Sequence, residues 1–213
     1  MEKRKLLMEL LADQVESINE KNQTISENQI SNVSTDNGDI FIGSKDTQYK
    51  LNFEPPQVNP EQILLLVDRY KNVDCESKEF IAIKEELEEY QTPRPGRKII
   101  GLENKLKAGN REDLIPTAKE YKKKFASRLM RYELCTHTSA IHLNIMGKIE
   151  EKFNSTIIPM IESKTDQNVI DLAISKLIIE PLADEVSAAD PTLTPKQVRG
   201  MMYLLTGNCF LQW

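Results

Sequence analysis

Apolar residues recur every three or four positions over most of this chain, which is the periodicity of helices that bury one face. The pattern predicts helices over about residues 60–71, 77–91, 101–109, 117–132, 136–163, 169–186 and 194–207. The two helices before the last contain Pro159 and Pro181, which are expected to kink or divide them because proline lacks an amide hydrogen and crowds the preceding turn. The main part of the chain is therefore expected to be a bundle of several helices.

The first 21 residues predict a helix that needs a partner. Residues 2–21 have amphipathic periodicity, with an apolar stripe formed by Leu7, Leu11, Val15 and Ile18. Cations at the start of this helix oppose its dipole and weaken it in isolation. Three partners for the stripe remain open: the main helical domain, the same helix of a second copy, or a membrane surface.

Residues 22–53 change to Asn, Ser and Thr and contain Asn37-Gly38, the strongest two-residue signal for a β-hairpin. A turn there places Val33 opposite Ile42 and Thr35 opposite Ile40, and residues 49–53 are a candidate third strand. A lone ribbon is marginal, so it is expected to join another sheet, pack on helices or pair between subunits. The predicted oligomerisation residues of this N-terminal part are Leu7, Leu11, Val15, Ile18, Val33, Ile40 and Ile42.

Two prolines, Pro55 and Pro56, mark the boundary between these patterns. The predicted fold class is mainly α: a multi-helix domain, residues 54–213, preceded by a small N-terminal element of amphipathic helix plus β-hairpin, residues 1–53. We expect the second part to fold alone and the first to serve as an oligomerisation or signalling element.

Composition narrows the classes of protein that fit this pattern. The chain has 213 residues, of which 39% are hydrophobic, enough for one sizeable core. Its longest apolar run, residues 63–67, is far below the roughly 18 residues that span a bilayer. The net charge of −5 argues against binding nucleic acid by bulk electrostatics. We therefore expect a cytoplasmic protein without a membrane span.

Candidate catalytic and metal-binding chemistry is sparse. Cys75, Cys135 and Cys209 are odd in number and widely spaced, so reduced thiols are expected. The spacing of Cys135, His137 and His142 matches no common zinc site, and no nucleophile with a base and an orienting group is evident. The sequence predicts no enzyme, no metal site and no cofactor.

The helix predicted near residues 117–132 carries the best candidate for binding nucleic acid. Its cations alternate with aromatic residues, a pattern that suits phosphates and bases. The aromatic residues follow the helical period, which favours the reading that the cations are a solvent face. This alternative function would use Lys119, Lys122, Lys123, Lys124, Arg128 and Arg131.

The last twenty residues have the most specific pattern in the chain. Thr194-Pro195 predicts a helix start, with threonine capping the first amides and proline at a position that needs no donor. Gly207 is placed where a left-handed helix cap is expected. Residues 202–213, with the sequence MYLLTGNCFLQW, then carry the chain's only tryptophan, Trp213. We call this stretch the closing motif.

The closing motif resembles the end of the C-terminal domains of bacterial ABC-three component conflict systems, which reads M-x-Y-[FLY]-L-T-G-N-C-H-[IL]-x-W. The resemblance continues upstream through Leu143, Met146, Lys148 and Ile149, then through two proline-containing segments, residues 157–161 and 177–182, and is expected to cover about residues 60–213. Phe210 replaces the histidine that the family usually has, which favours a packing role. The residues that the resemblance marks for a structural role or for partner docking are Tyr203, Thr206, Gly207, Asn208, Cys209 and Trp213.

The resemblance implies a protein of a bacterial anti-phage defence operon, because such domains are fused to effectors and are encoded with a middle component and an ABC ATPase. About 58 residues precede the domain, which is too few for a catalytic effector. The leading hypothesis is therefore a non-enzymatic assembly or adaptor module that couples oligomerisation to one of these protein partners. We expect Trp213 to pack against the long helices; the alternative is an exposed docking residue.

Overall fold

The computed structural model describes three strands, Val33–Asp36 (β1), Asp39–Ile42 (β2) and Tyr49–Leu51 (β3), and residues 56–98 and 100–213. The chain divides into two units, Met1–Glu54 and Pro55–Trp213. The strands are antiparallel in the order β1-β2-β3, and the backbone of Val33 lies opposite that of Ile42. The turn at residues 37–38 and the helix predicted for residues 2–21 lie outside the described residues. Residues 56–98 and 100–213, whose side chains are described, contain no strand and give the hairpin no support. The hairpin therefore stays a prediction.

Residues 56–98 and 100–213 contain seven helices and no strand, which confirms a mainly α fold. The first four are α1 (Pro60–Tyr70), α2 (Lys78–Gln91), α3 (Leu102–Ala108) and α4 (Ile115–Arg131), with a 3₁₀ turn, Glu112–Leu114, before α4. Helix α5 runs through Thr136–Lys152, the π-helical turn Phe153–Ile157 and Ile158–Glu162. Helix α6 runs through Gln167–Ala173, the π-helical turn Ile174–Ile179 and Glu180–Ser187, and α7 is Pro195–Gly207. None of the described helices has the length and apolarity needed to cross a lipid bilayer.

Helix starts differ in how their first amides are satisfied. At α2, the Ser77 hydroxyl accepts a hydrogen bond from the Phe80 amide at 3.2 Å. At α7, Thr194 occupies the cap position and Pro195 begins the helix, but the Thr194 side chain makes no capping hydrogen bond. The predicted hydroxyl cap is therefore wrong, and this start depends on proline, whose fixed φ suits the first turn.

The two π-helical turns explain how α5 and α6 accommodate their prolines. The amide of Ile158 donates to Phe153 O and that of Glu180 donates to Ser175 O, each five residues back instead of four. The next residue in each case is a proline, which lacks an amide and needs room for its ring. The expected interruptions are thus local widenings inside continuous helices.

Helix α5 is the centre of the core. Ile141, Ile145, Ile149 and Phe153 follow one another at four-residue spacing and each is at most 1% exposed. Helices α1, α2 and α7 pack against α5, and α7 also packs against α4. The C-terminal helix therefore lies inside the domain, with neighbours on several sides.

A buried polar network joins α4, α5 and the segment between α6 and α7. The Arg128 guanidinium donates through Nε to His142 Nε2 at 3.1 Å and through Nη1 to Thr192 Oγ1 at 2.8 Å, and it pairs with Asp190. The His142 ring also meets Phe125 edge-on, with centroids 5.4 Å apart. This network requires His142 to be neutral, because Nε2 accepts a hydrogen bond.

Acid is expected to destabilise the protein through His142. Burial, helped by the charge of Arg128, lowers the pKa of His142 from 6.5 to about 3. Between these values the unfolded chain binds a proton that the folded chain does not, so the free energy of unfolding falls as pH falls through this window. At pH 5 the loss from this residue is about 2 kcal/mol. Urea denaturation at pH 8 and pH 5 measures it.

The matched control is His142→Gln, which keeps an oxygen acceptor for Arg128 and removes the titrating group. The variant should lose about 2 kcal/mol less than the original chain between the two pH values. Equal losses in both proteins would show that His142 is not the source of the acid sensitivity.

Candidate functional site

Helix α7 crosses α4 at very short range. A Cβ atom added to Gly200 would lie 2.6 Å from the Tyr121 carbonyl oxygen and 2.8 Å from Phe125 Cβ. Glycine removes this obstacle and lets the two backbones approach. The closing motif begins within the same helix, so this close crossing places its first residues beside α4.

The left-handed residue at the end of α7 is Cys209, with φ of 72°, and the prediction for Gly207 is wrong. The Phe210 amide donates to Leu205 O at 3.0 Å and the Cys209 amide donates to Thr206 O at 3.3 Å. This pair of bonds is the Schellman arrangement, which satisfies carbonyls left open at a helix end. Gly207 lies within the helix, where a Cβ atom would collide with the Lys122 side chain.

Cys209 is fully buried and has two lysines beside it. Lys105 on α3 is 3% exposed and donates from Nζ to Leu211 O at 2.7 Å. Burial lowers the pKa of the Lys105 ammonium, and the Cys209 side chain opposes this change. Burial also lowers the pKa of Lys122, again opposed by Cys209. Glycine is the usual residue at a left-handed position, but a glycine here would remove the thiol that lies beside Lys105 and Lys122.

Two substitutions at Cys209 separate its backbone role from its side-chain role. Cys209→Ala and Cys209→Gly both remove the sulfur, but only alanine keeps a Cβ atom at positive φ. We expect the glycine variant to be the more stable of the two by about 1 kcal/mol. Thermal denaturation of both variants measures the difference, and an alanine variant at least as stable as the glycine variant would contradict this assignment.

Asn208 connects the closing motif to the end of α2. Its Nδ2 donates to Tyr90 O at 2.8 Å, and its own carbonyl oxygen accepts from the Arg94 amide at 2.9 Å. The side chain therefore binds a segment far away in sequence. These bonds fix the start of the loop that follows α2.

Phe210, at the position where the resemblance predicts histidine, packs between two side chains from the same region. Its ring centroid is 4.7 Å from that of Tyr90, and the Arg94 guanidinium lies 5.0 Å from the ring centre. Arg94 also pairs with Glu150 at 3.1 Å, and the Tyr90 hydroxyl donates to Glu150 at 3.0 Å. Phe210 thus contributes packing and a cation–π contact.

Trp213 is half-buried and joins three elements. Its Nε1 donates to Thr206 Oγ1 at 3.2 Å, and its ring centroid is 5.5 Å from that of Phe153 on α5. The Arg111 guanidinium lies 5.5 Å from the indole ring and binds both oxygens of Asp171, at 2.8 and 2.7 Å. A Cβ atom on Gly109 would lie 2.9 Å from Trp213 Cβ. The indole therefore rests on the folded domain, and part of it faces solvent.

The remaining residues marked in the closing motif lie inside the domain. Tyr203 is 2% exposed, and burial raises the pKa of its hydroxyl. Thr206 is fully buried and donates to Met202 O at 2.9 Å. Their described contacts are with this domain, and whether the motif also docks a partner stays a hypothesis.

The cations of the alternative nucleic-acid site do not all lie on one open face, although Lys119, Lys122 and Lys123 line one cavity of about 580 Å³. Arg128 is used in the buried network, and Lys122 lies half-buried beside Cys209. Two others are exposed in ion pairs: Lys119 with Glu103 at 2.6 Å and Lys124 with Glu120 at 2.5 Å. Lys123 and Arg131 are exposed.

The candidate residues of the N-terminal part are not placed by side chain. Leu7, Leu11, Val15 and Ile18 lie outside the described residues, and Val33, Ile40 and Ile42 are described only as strand positions. In the described part, no group of three or more His, Cys, Asp or Glu side chains is arranged to hold a metal ion. The Sγ atom of Cys135 lies 3.5 Å from His137 Nε2 and 3.0 Å from the Thr138 hydroxyl oxygen.

Sequence reasoning missed Lys105, Arg111, Tyr90 and Arg94 as neighbours of the closing motif. Lys105 had a usable signal, because Leu102, Lys105 and Leu106 have the three- and four-residue spacing of one helix face. The others depend on contacts between distant segments, for which one sequence has no local signal.

These features define a helical domain whose C-terminal segment packs against the other helices of the same domain. A family model described as C-terminal domain 9 of the ABC-three component (ABC-3C) systems matches residues 101–213, more than half of the chain, so the protein belongs to this family. The match begins at α3, later than the expected start near residue 60. No curated protein and no solved structure matches the chain. Family membership makes the chain a component of an ABC-three component defence system and implies that it has protein partners.

Proposed function

We propose that this protein is a non-enzymatic assembly module of its defence system, which couples its own oligomerisation to a partner effector or ABC ATPase. The observation that carries the proposal is the family match over residues 101–213. In a system of several components, a non-enzymatic domain would act by holding other components together. The buried closing motif supports this proposal, because its packing helps to hold the helices in fixed positions. A docking surface for a partner needs such a fixed arrangement.

The first experiment tests partner binding by the full chain. The tagged protein is co-expressed with each protein encoded beside it, and size-exclusion chromatography with light scattering measures the mass of what is purified. We expect a complex with the middle component or the ABC ATPase. Elution of every component at its own mass, in all combinations and at low salt, would contradict the proposal.

The second experiment tests oligomerisation through residues 1–53. Leu11→Gln with Val15→Gln removes two apolar groups from the predicted stripe, and Glu9→Gln with Glu16→Gln changes two positions on the opposite face of the same predicted helix. We expect a dimer or larger assembly for the original chain and the control, and a smaller assembly for the stripe variant. A monomer in all three proteins would remove oligomerisation from the proposal.

The alternative function, binding of nucleic acid through the basic face of α4, has a separate test. Phosphate contacts release counterions, so binding to single-stranded or duplex DNA would weaken steeply as salt rises. Because Arg128 is held in the buried network and Lys119 and Lys124 are paired with carboxylates, we expect no such binding. Saturable, strongly salt-dependent binding that is lost in Lys123→Gln with Arg131→Gln would favour the alternative.

A further inference from the structure

A cavity lined by cations lies beside the closing motif. Its volume is about 340 Å³, and it is lined by Gly96, Arg97, Lys98, Lys105, Gln212 and Trp213. We call it the basic pocket. None of its described lining side chains is acidic, although the whole chain carries a net charge of −5. Positive charge is therefore concentrated at this pocket, although the protein as a whole is negatively charged.

The loop that carries Arg97 and Lys98 is held in place at its start. The Arg94 amide donates to the Asn208 carbonyl oxygen at 2.9 Å, and the Arg94 guanidinium pairs with Glu150 at 3.1 Å. Pro93 and Pro95 restrict the loop further, because each ring fixes its own φ. The two cations thus extend from an anchored segment, which reduces the entropy that a ligand must remove.

Lys105 approaches the same cavity from α3. An ammonium group has three donors, and Nζ of Lys105 uses one of them to bond Leu211 O at 2.7 Å. A remaining donor can serve a ligand in the cavity that this residue lines. Arg97 is close enough to Lys105 for its charge to contribute to the lowered pKa of that ammonium. A bound anion would relieve this repulsion between like charges.

We propose that the basic pocket binds a polyphosphate group, the compact multivalent anion of nucleoside di- and triphosphates. A single carboxylate carries one negative charge and would leave most of the positive charge uncompensated, whereas a polyphosphate carries several. The volume lies at the lower end of the roughly 300–1,000 Å³ typical of small-molecule sites. Trp213 adds an aromatic wall against which a base can pack. This inference goes beyond the assembly function and does not depend on it.

Isothermal titration calorimetry of the full chain tests the proposal at low ionic strength without divalent metal. The probes are inorganic tripolyphosphate, pyrophosphate, ATP and ADP. We expect saturable binding of tripolyphosphate at one site per chain. ATP binding more tightly than tripolyphosphate would assign the site to nucleotides, and equal affinity would assign it to the phosphate chain alone.

A pair of charge-matched variants separates the pocket from general electrostatic attraction. Arg97→Gln with Lys98→Gln removes two exposed cations from the pocket, and Lys107→Gln with Lys196→Gln removes two exposed cations that do not line it. Both variants should keep the original melting temperature. We expect the Kd for tripolyphosphate to rise at least tenfold in the first variant and to change little in the second. Absence of saturable binding, or equal weakening in both variants, would overturn the proposal.

Discussion

Removal of residues 211–213 is expected to lower the free energy of unfolding by roughly 5 kcal/mol, the largest effect that we predict. Leu211 is fully buried, so its loss leaves a cavity as well as unburied neighbours. Trp213 packs on Phe153 and Arg111, and Lys105 would keep its buried ammonium while losing the Leu211 oxygen as acceptor. Urea denaturation measures the change, and a loss of this size leaves most single domains largely unfolded at ambient temperature.

The matched control for this deletion is Gln212→Ala, because Gln212 is exposed between two packed residues. It should change the free energy of unfolding by less than about 0.5 kcal/mol. If the deletion instead leaves the urea midpoint unchanged while abolishing binding to a partner, the segment is a docking peptide, and the structural role assigned to it is wrong.

The second large effect is expected for Gly200→Ala. The added Cβ atom would meet the Tyr121 carbonyl oxygen and Phe125 Cβ, so α4 and α7 must move apart. We expect a net loss of about 2–3 kcal/mol, even though alanine favours a helix by up to about 1 kcal/mol over glycine. Thermal denaturation followed by circular dichroism measures the loss.

Gly147→Ala is the control for Gly200→Ala, since Gly147 also lies in the interior of a helix. Its added Cβ atom would meet only the Tyr90 hydroxyl, at an ordinary distance of 3.7 Å. The gain in helix propensity should then stabilise the protein by about 0.5–1 kcal/mol. We expect Gly200→Ala to lower the stability of the protein and Gly147→Ala to raise it. Equal changes in stability for the two variants would mean that α4 and α7 are not in close contact at Gly200.

The sequence predicts the helices well because each one buries a single face, and that period is visible without knowledge of the partner. The starts at Pro60 and Pro195 are predictable for a similar reason, since proline at the first position needs no donor. The hydrogen bonding around Pro159 and Pro181 is less predictable. A kink, a break and a π turn all remove the same clash, and the choice depends on the packing around each helix.

Gly207 shows where local reasoning about the candidate site fails. Glycine is the usual left-handed residue after a helix, so the prediction placed the cap there. In the structure, the absence of a Cβ atom at Gly207 makes room for Lys122, and Cys209 takes the positive φ. These two uses of glycine look the same in sequence, because the second depends on a side chain from a different helix.

Native mass spectrometry of the full chain co-purified with its partner tests the coupling of oligomerisation to partner binding most directly. The original chain and the Glu9→Gln, Glu16→Gln control should give complexes with at least two copies of the chain and correspondingly several copies of the partner. The Leu11→Gln, Val15→Gln variant should give a complex with one copy of each, because binding persists while assembly is lost. Identical stoichiometry in all three proteins, or no partner bound in any of them, would contradict the proposed role.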